Sequence, residues 1–512
     1  MEKLQGGNSM SGRKTKQKRK TAKVREIQKI EVNLFGTARL LGQYITESLC
    51  ETVFQSARTT ERQRIWSLYA LAEFWTAVIL RAPQSLQQAL EESAAGKNPD
   101  WPQVTATPEA FFQRSRDLSW QFFAALFQSF TERIEEIAPA SFAQEVNALQ
   151  QRFSRVWIVD GSRLDAIAHR LKILWHVRSP ILPGCVTACY DLFRGFAPIL
   201  HFSPDAAESE MNRIRQILPQ IPEGTLLLGD RLYASVQLFE LLSAAKLFGL
   251  FRRNANVGLK KLERLSCQHS EGGILEDRLV EAGSGQTAPK QLLRWIRFRG
   301  KRGVVHELLT NVLDPQRLSA AEAMELYPCR WDVERLFYDL KEVLNLHCFY
   351  AANPNAVAMQ LYAAGMVYTA MRVAQAHVAQ QAGIVPETIS TEKFFPRMAA
   401  ATSQWNLLRA GGQAVKDANP GKKLREPAWS RMKFGRVKLE QITVETRKGP
   451  RRKKRFCASR KKWKSLYHIR GWPEINLAAM SLIGHVMCIL RQKHLGVKLK
   501  IHCPQIAIKT QR

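Results

Sequence analysis

Residues 327–341 read YPCRWDVERLFYDLK and place one carboxylate, Glu334, among Tyr327, Arg330 and Lys341 on a segment whose apolar residues recur at three- and four-residue steps. Such steps predict a helix running through Leu344. With Arg330 as zero and about 100° per residue, Val333 to Leu344 fill roughly 220–340°, and Asp332, Arg335, Asp339 and Glu342 fall at about 120–200°. The first arc is a buried stripe and the second a solvated face. Tyr327, Arg330, Glu334 and Lys341 lie within about 60° of one another, on a third and narrower face. An acid flanked by cations suits a metal ligand set among phosphate-binding groups. A plain i,i+4 pair of Arg330 with Glu334 accounts for the same helix equally well.

The elements that would position further acids lie upstream. "RVWIVDGS" is a short apolar run ending at Asp160, and "GTLLLGDRLY" is a second, ending at Asp230. Both read as buried strands. "CVTACYDLF" and "FAPILHF", separated by Gly195, read as an antiparallel continuation of the same sheet. "SEMNRIRQIL" and "VQLFELLSAAK" read as helices, and "LFGLFRR" as a further strand. Alternating strands and helices imply a mixed α/β sheet. Asp160 and Asp230 then sit at the carboxyl ends of central strands, where open α/β sheets bind ligands. Either aspartate alone could be a turn former. Three converging carboxylates repel each other and are most simply held together by two divalent cations, which activate a water or a 3′-hydroxyl in phosphoryl transfer.

The whole chain points to a polyanionic partner. It has 512 residues, 45% hydrophobic and 24% charged, with a net charge of +31. Residues 1–30 hold ten Lys/Arg against Glu2 and Glu26, and residues 421–470 hold nineteen against Glu426, Glu440 and Glu445. Charge concentrated beside balanced globular sequence favours nucleic acid. A membrane partner is disfavoured, because the chain has no apolar run of about 18 residues or more. The basic N-terminus lacks the apolar stretch of a secretory signal. Nine scattered cysteines without zinc spacing suit reduced thiols in a cytosol. Cys329 is expected to be buried.

The motifs resemble those of a family. Tyr327, Arg330, Glu334 and Lys341 match the Tyr-x2-Arg-x3-Glu-x6-Lys signature of DDE transposases of the insertion-sequence-4 family. "VWIVDGS" resembles the family's setting for its first acid, and "LLLGDRLY", with Asp230, Arg231 and Tyr233, its second. "LLTNVLD" at 308–314 resembles the strand before the last motif. The resemblance covers about residues 150–350. It implies a ribonuclease-H-like catalytic core with a β-rich insertion, with Asp160, Asp230 and Glu334 as catalytic metal ligands. Tyr327, Arg330, Lys341, Arg231 and Tyr233 become DNA- or phosphate-binding residues. It also implies two Mg²⁺ ions, with Mn²⁺ able to substitute, and cut-and-paste movement of an element bounded by inverted repeats. The partners are double-stranded DNA, both element ends and target, and a second copy of the chain on that DNA. The setting is the bacterial cytoplasm, in association with the nucleoid. In relatives that open through a DNA hairpin, a base-stacking Trp stands at the place of His306. Trp295 and Trp331 are the candidates to replace it, although Trp331 is expected to pack beside the buried arc.

The expected organisation is a basic flexible arm at 1–30 and a helical N-terminal domain at 31–150, either a supporting bundle or a DNA reader. The catalytic core follows at 151–252 and 312–400, with the β-rich insertion at 253–311. Residues 401–512 form a basic, partly helical C-terminal region for DNA or dimer contact. In the insertion, "QLLRWIRFRGKRGVVHELLT" reads as a hairpin turning at Gly300 and Gly303, its arginines solvated or facing phosphates. "NAVAMQLYAAGMVYTAMRVAQAHV" reads as a long apolar helix, either core or dimer contact. Two other readings stay open: a catalytically silent DNA-binding protein, and a metal-dependent nuclease without strand transfer.

Overall fold

The computed structural model describes residues 31–57, 64–164, 184–270, 272–283, 290–300, 303–351, 353–418 and 436–444. The basic arm at 1–30 and the cluster at 445–470 lie outside the described residues. A short strand, β1 (Glu31–Asn33), leads into five principal helices: α1 (Glu47–Ala57), α2 (Leu68–Arg81), α3 (Leu86–Ala95), α4 (Pro108–Asp117) and α5 (Gln121–Glu135). Ser67, Ser85 and Thr107 cap α2, α3 and α4 by accepting a backbone N–H three residues on. Each such cap contributes about 1 kcal/mol. Sequence periodicity runs Leu118 to Ile137 as one helix. The structure starts α5 at Gln121, and Leu118 closes α4 instead.

Nine strands then build one sheet. They are β2 (Val156–Arg163), β3 (Cys185–Asp191), β4 (Ile199–Ser203), β5 (Leu226–Gly229), β6 (Phe248–Arg252), β7 (Leu259–Ser270), β8 (Gly273–Ala282), β9 (Gln291–Gly300) and β10 (Val305–Thr310), in the spatial order β4-β3-β2-β5-β6-β10-β9-β8-β7. β2, β5 and β6 run parallel at the centre, with β3 and β4 antiparallel on one flank. Two helices make the crossovers, α6 (Glu210–Ile217) from β4 to β5 and α7 (Val236–Ala244) from β5 to β6. Gly195, with φ +78°, turns β3 into β4. β5 is buried along its length, and β2 and β6 are buried in their apolar stretches, which suits parallel strands covered on both faces.

The expected insertion at 253–311 is β-rich but not detached. Its last strand, β10, pairs antiparallel with β6, so the insertion extends the central sheet. The hairpin of β9 and β10 forms in the expected place. One of its arginines differs from expectation, while Arg299 is exposed. Arg294 is fully buried, and its guanidinium pairs with Asp277 on β8 and donates to the carbonyls of Val312 and Leu318. A charge so enclosed costs several kcal/mol unless it is paired, and here it ties the sheet to the chain leaving β10. Trp295 is also buried, so it cannot stack on a base. His306 is exposed.

After β10 come α8 (Ala320–Leu326), the site segment with its helix α9 (Asp332–Tyr338), α10 (Pro354–Ala382) and α11 (Thr391–Ala418). Residues 356–376 of α10 are all buried. The N-terminal helices α2 and α5 lie along it. Gly365 permits that approach, since a Cβ there would fall 2.7 Å from Leu200 and 2.8 Å from Phe127. One hydrophobic core therefore includes residues from Val32 to Ile442. The helical segment at 31–150 shares its core with the sheet domain, and α10 has no free face for the dimer contact allowed for it. A last strand, β11 (Arg436–Lys438), pairs antiparallel with β1.

Candidate active site

The register of the central strands sets out the site. Ile158 of β2 pairs in parallel with Leu228 of β5. Asp160 and Asp230 each follow two residues later, Asp160 within β2 and Asp230 just past the end of β5. β2 continues past Asp160 to Arg163 along β3, whereas β5 stops at Gly229. The Asp160 carboxylate accepts the N–H of Gly161 at 2.9 Å, and that of Asp230 accepts the N–H of Leu232 at 2.7 Å. Burial first, and then the charges of Glu210 and Asp230, push the Asp160 carboxyl up to about 7 against the opposing pull of the Gly161 N–H and Arg330.

The third acid comes from a helix in three pieces. Residues Tyr327–Trp331 form a 3-10 turn, α9 follows, and Asp339–Val343 form a π turn. α9 packs against β2 and β3, burying Val333, Leu336 and Phe337 as the wheel requires. Two residues differ from the burial expected of them. Asp339, expected on the solvated face, is fully buried, paired with Arg335 at 2.9 Å and accepting from Thr391. Trp331, expected to pack, is 52% exposed with the Arg330 guanidinium stacked 4.4 Å over its ring. At about 100° from Arg330, Trp331 lies nearer the solvated face than the buried arc, and its exposure follows from that position. Cys329 is buried as expected.

Glu334 and Arg330 form the i,i+4 pair at 3.2 Å. Arg330 also acts electrostatically on Asp160, so one buried guanidinium lies between two acids from different elements. Lys341, carried by the π turn, donates to Ser162 Oγ and to the carbonyl of Arg163, both at 2.7 Å. It thereby ties the helix to the end of the Asp160 strand. Tyr327 donates to the carbonyl of Gly229 at 3.3 Å, one residue before Asp230, and burial raises its hydroxyl to about 12. Arg231 is exposed. Tyr233 is fully buried, and its hydroxyl meets the Glu210 carboxylate at 3.4 Å. The phosphate contact expected of Tyr233 is thus out of its reach; its ring packs the β5 turn.

The sequence reading missed Glu210. It opens α6, behind the N-cap Ser209. Burial raises its carboxyl, with Arg213 opposing and Asp230 adding to the rise. Its segment, "SEMNRIRQIL", carries no spacing relative to Asp160 or Asp230 that marks it, since only the fold brings it there.

The donors at this place are all carboxylates, hard oxygen ligands of the kind that Mg²⁺ and Mn²⁺ prefer. A cation would relieve the mutual repulsion expressed at Asp160. In donor chemistry the residues fit a divalent metal. Among the described residues, no three such groups are yet gathered around one point, and Glu334 is held by Arg330.

Residues 186–370 match the family model described as the transposase DDE domain, a span that includes Asp230 and Glu334 and begins after Asp160. A putative transposase, y4zB, of Sinorhizobium fredii is 32% identical over 158 residues, 30% of this chain and 44% of that protein. A probable transposase for insertion sequence element IS5377 of Geobacillus stearothermophilus is 28% identical over 150 residues, 29% of this chain and 38% of that protein. The chain thus spans less than half the length of each of these relatives. Among solved structures, the piggyBac transposase in a synaptic complex with hairpin DNA aligns with a TM-score of 0.35 at 9% identity, over 78% of this chain and 88% of that one.

Proposed function

From a chain whose residues 186–370 carry a transposase DDE domain, we propose a DNA transposase of the insertion-sequence-4 type. It excises and reinserts an element by phosphoryl transfer at terminal inverted repeats. The observation that carries this reading is that Asp160 and Asp230 each stand two residues past the paired Ile158 and Leu228 of two adjacent parallel strands, with Glu334 on a helix packed against the first of them. The strand order β4-β3-β2-β5-β6, with β10 to β7 continuing it, supports a ribonuclease-H-like core with a β-rich extension.

Asp160, Asp230 and Glu334 would hold two Mg²⁺ or Mn²⁺ ions, which supply activation of a water or 3′-hydroxyl and stabilisation of the leaving oxygen. Around that centre the chain's own residues set the geometry. Arg330 screens Asp160 from its neighbouring acids and keeps Glu334 beside the strands. Lys341 holds the end of the Asp160 strand through Ser162. Tyr327 fixes the turn into Asp230 through Gly229. Arg231, exposed beside Asp230, is placed to meet a DNA phosphate. The DNA-bound form is a homodimer that works on the bacterial nucleoid.

A catalytically silent DNA-binding protein is the second reading, favoured by the pair that occupies Glu334. The two separate on purified protein incubated with a duplex spanning the boundaries of its own gene, with Mg²⁺ or with chelator. Metal-dependent cuts at inverted repeats, followed by joining to a second duplex, support transposition. Binding without cuts establishes the silent reading, and cuts without joining establish a nuclease.

A further inference from the structure

Resting on the metal-dependent reading above, we propose that Glu210 is a fourth carboxylate of the centre and joins Asp160 and Asp230 in binding its divalent cation. The crossover from β4 to β5 delivers the first residue of α6 to the end of the sheet where both aspartates stand. There the Glu210 carboxylate occupies the space a side chain at position 161 would take. A Cβ on Gly161 would fall 2.2 Å from Oε1 and 2.6 Å from Cδ. A larger residue after Asp160 would have to push this carboxylate aside. On its other side, Oε2 meets the hydroxyl of Tyr233, three residues after Asp230, at 3.4 Å. Glu210 thus bridges the ends of the two strands that carry the aspartates.

Its countercharge does not account for the placement. Arg213 is committed elsewhere: Nε donates to Thr187 Oγ1 at 2.7 Å, and Nη1 donates to Cys185 Sγ at 2.9 Å and to the carbonyl of Glu208. Only Nη2 faces Glu210, at 3.9 Å, beyond hydrogen-bond distance. An acid in the first turn is favoured at any helix N-terminus, but that preference is satisfied by a carboxylate turned to solvent. This one is turned inward, against Gly161. A cation between it and Asp160 would gain a hard oxygen ligand and a compensating charge, and affinity for such ions follows ligand charge count.

The test is Mn²⁺ binding to the full chain, followed by the paramagnetic resonance of free Mn²⁺, with melting temperature measured without metal. Glu210→Gln keeps the volume and an acceptor for Tyr233 and removes the charge. The expected result is Mn²⁺ affinity lower by about tenfold or more, with the metal-free melting temperature no lower than that of the parent chain. Asp160→Asn and Asp230→Asn run alongside. If both lose Mn²⁺ and Glu210→Gln binds it as the parent does, Glu210 is no ligand and the three-acid centre stands. If none of the three loses Mn²⁺, the metal reading falls and this inference with it. Should Glu210→Gln also melt lower without metal, Glu210→Asp decides: affinity regained with the carboxylate upholds the role, and affinity still lost overturns it.

Discussion

Asp160 and Asp230 stand two residues beyond Ile158 and Leu228, which are paired in parallel across neighbouring strands. Backbone register thus brings chain segments 70 residues apart side by side, and with them the two aspartates close enough to act on one another's charge. A slip by one residue would turn every side chain of one strand to the other face and separate the pair. The hydrophobic pattern prevents that slip, because Val156, Ile158, Leu226 and Leu228 share the core with α10 while Trp157, Val159 and Leu227 belong to the core on the opposite face.

Removing any one of the three acids should abolish cutting and leave DNA binding in place. Asp160→Ala, Asp230→Ala and Glu334→Ala each delete a metal-binding group but none of the surface Lys and Arg that grip phosphates. Cleavage of end-containing duplex with Mg²⁺, beside a gel-shift of the same duplex, separates the two effects. Near-normal cutting by one variant removes that residue from the centre.

Arg330→Ala and Lys341→Ala should both lower transposition, for different reasons. Arg330→Ala leaves Glu334 without its 3.2 Å partner, and Lys341→Ala frees the Ser162 end of β2. Where either cation also meets a phosphate, the slope of log affinity against log salt shrinks by roughly one unit per contact. A normal slope together with normal activity would reduce both residues to internal ties.

Acid should loosen the join between the residues before β2 and α8. Glu322 accepts from Arg152 and closes the capping box with Ser319. The Arg152 guanidinium beside it, with Ser319 helping, holds its carboxyl down at about 2, below the ordinary glutamate value. Its contribution to stability is therefore complete above the unfolded-state pKa of about 4.3 and is lost as pH falls from there towards 2. Glu322→Gln should flatten the fall in melting temperature across that window. An unchanged slope of melting temperature against pH would show the pair to be energetically silent.

The buried pair of Arg294 and Asp277 should be a structural fixture. Asp277→Ala leaves a guanidinium uncompensated in a fully buried place, which costs on the order of 3–5 kcal/mol. Arg294→Met removes the charge and the donors to Val312 and Leu318 together and should be comparably harmful, because those carbonyls lose their partner. Denaturant midpoints of both variants test this. Loss of DNA affinity at unchanged stability would return Arg294 to a phosphate-binding role.

Much of this site was legible in the linear chain. The apolar runs before Asp160 and Asp230 are short and closed by an acid, which marks the end of β5 at Asp230, whereas β2 continues past Asp160 to Arg163 because β3 goes on pairing with it. The steps of Val333, Leu336, Phe337 and Leu340 set which face of the site helix is buried, and the structure keeps that face. Residue types also set the expected ligand chemistry, since carboxylates call for hard cations and clustered Lys and Arg for phosphate. Tertiary structure decided what depends on partners distant in sequence. Arg294 alternates along β9 like a surface residue, and only the cross-strand position of Asp277 and the carbonyls beyond β10 draw it inside. Asp339 sits a helical step from Arg335 on what looks like a solvated face, and Thr391 at the start of α11 buries it. Residues 31–150 read as a separate helical domain because periodicity reports that a face is buried and not what buries it. The partner is α10, which begins more than two hundred residues later. Glu210 reaches the aspartates for the same reason: a crossover helix between two strands carries it there, and no local pattern records where a crossover lands.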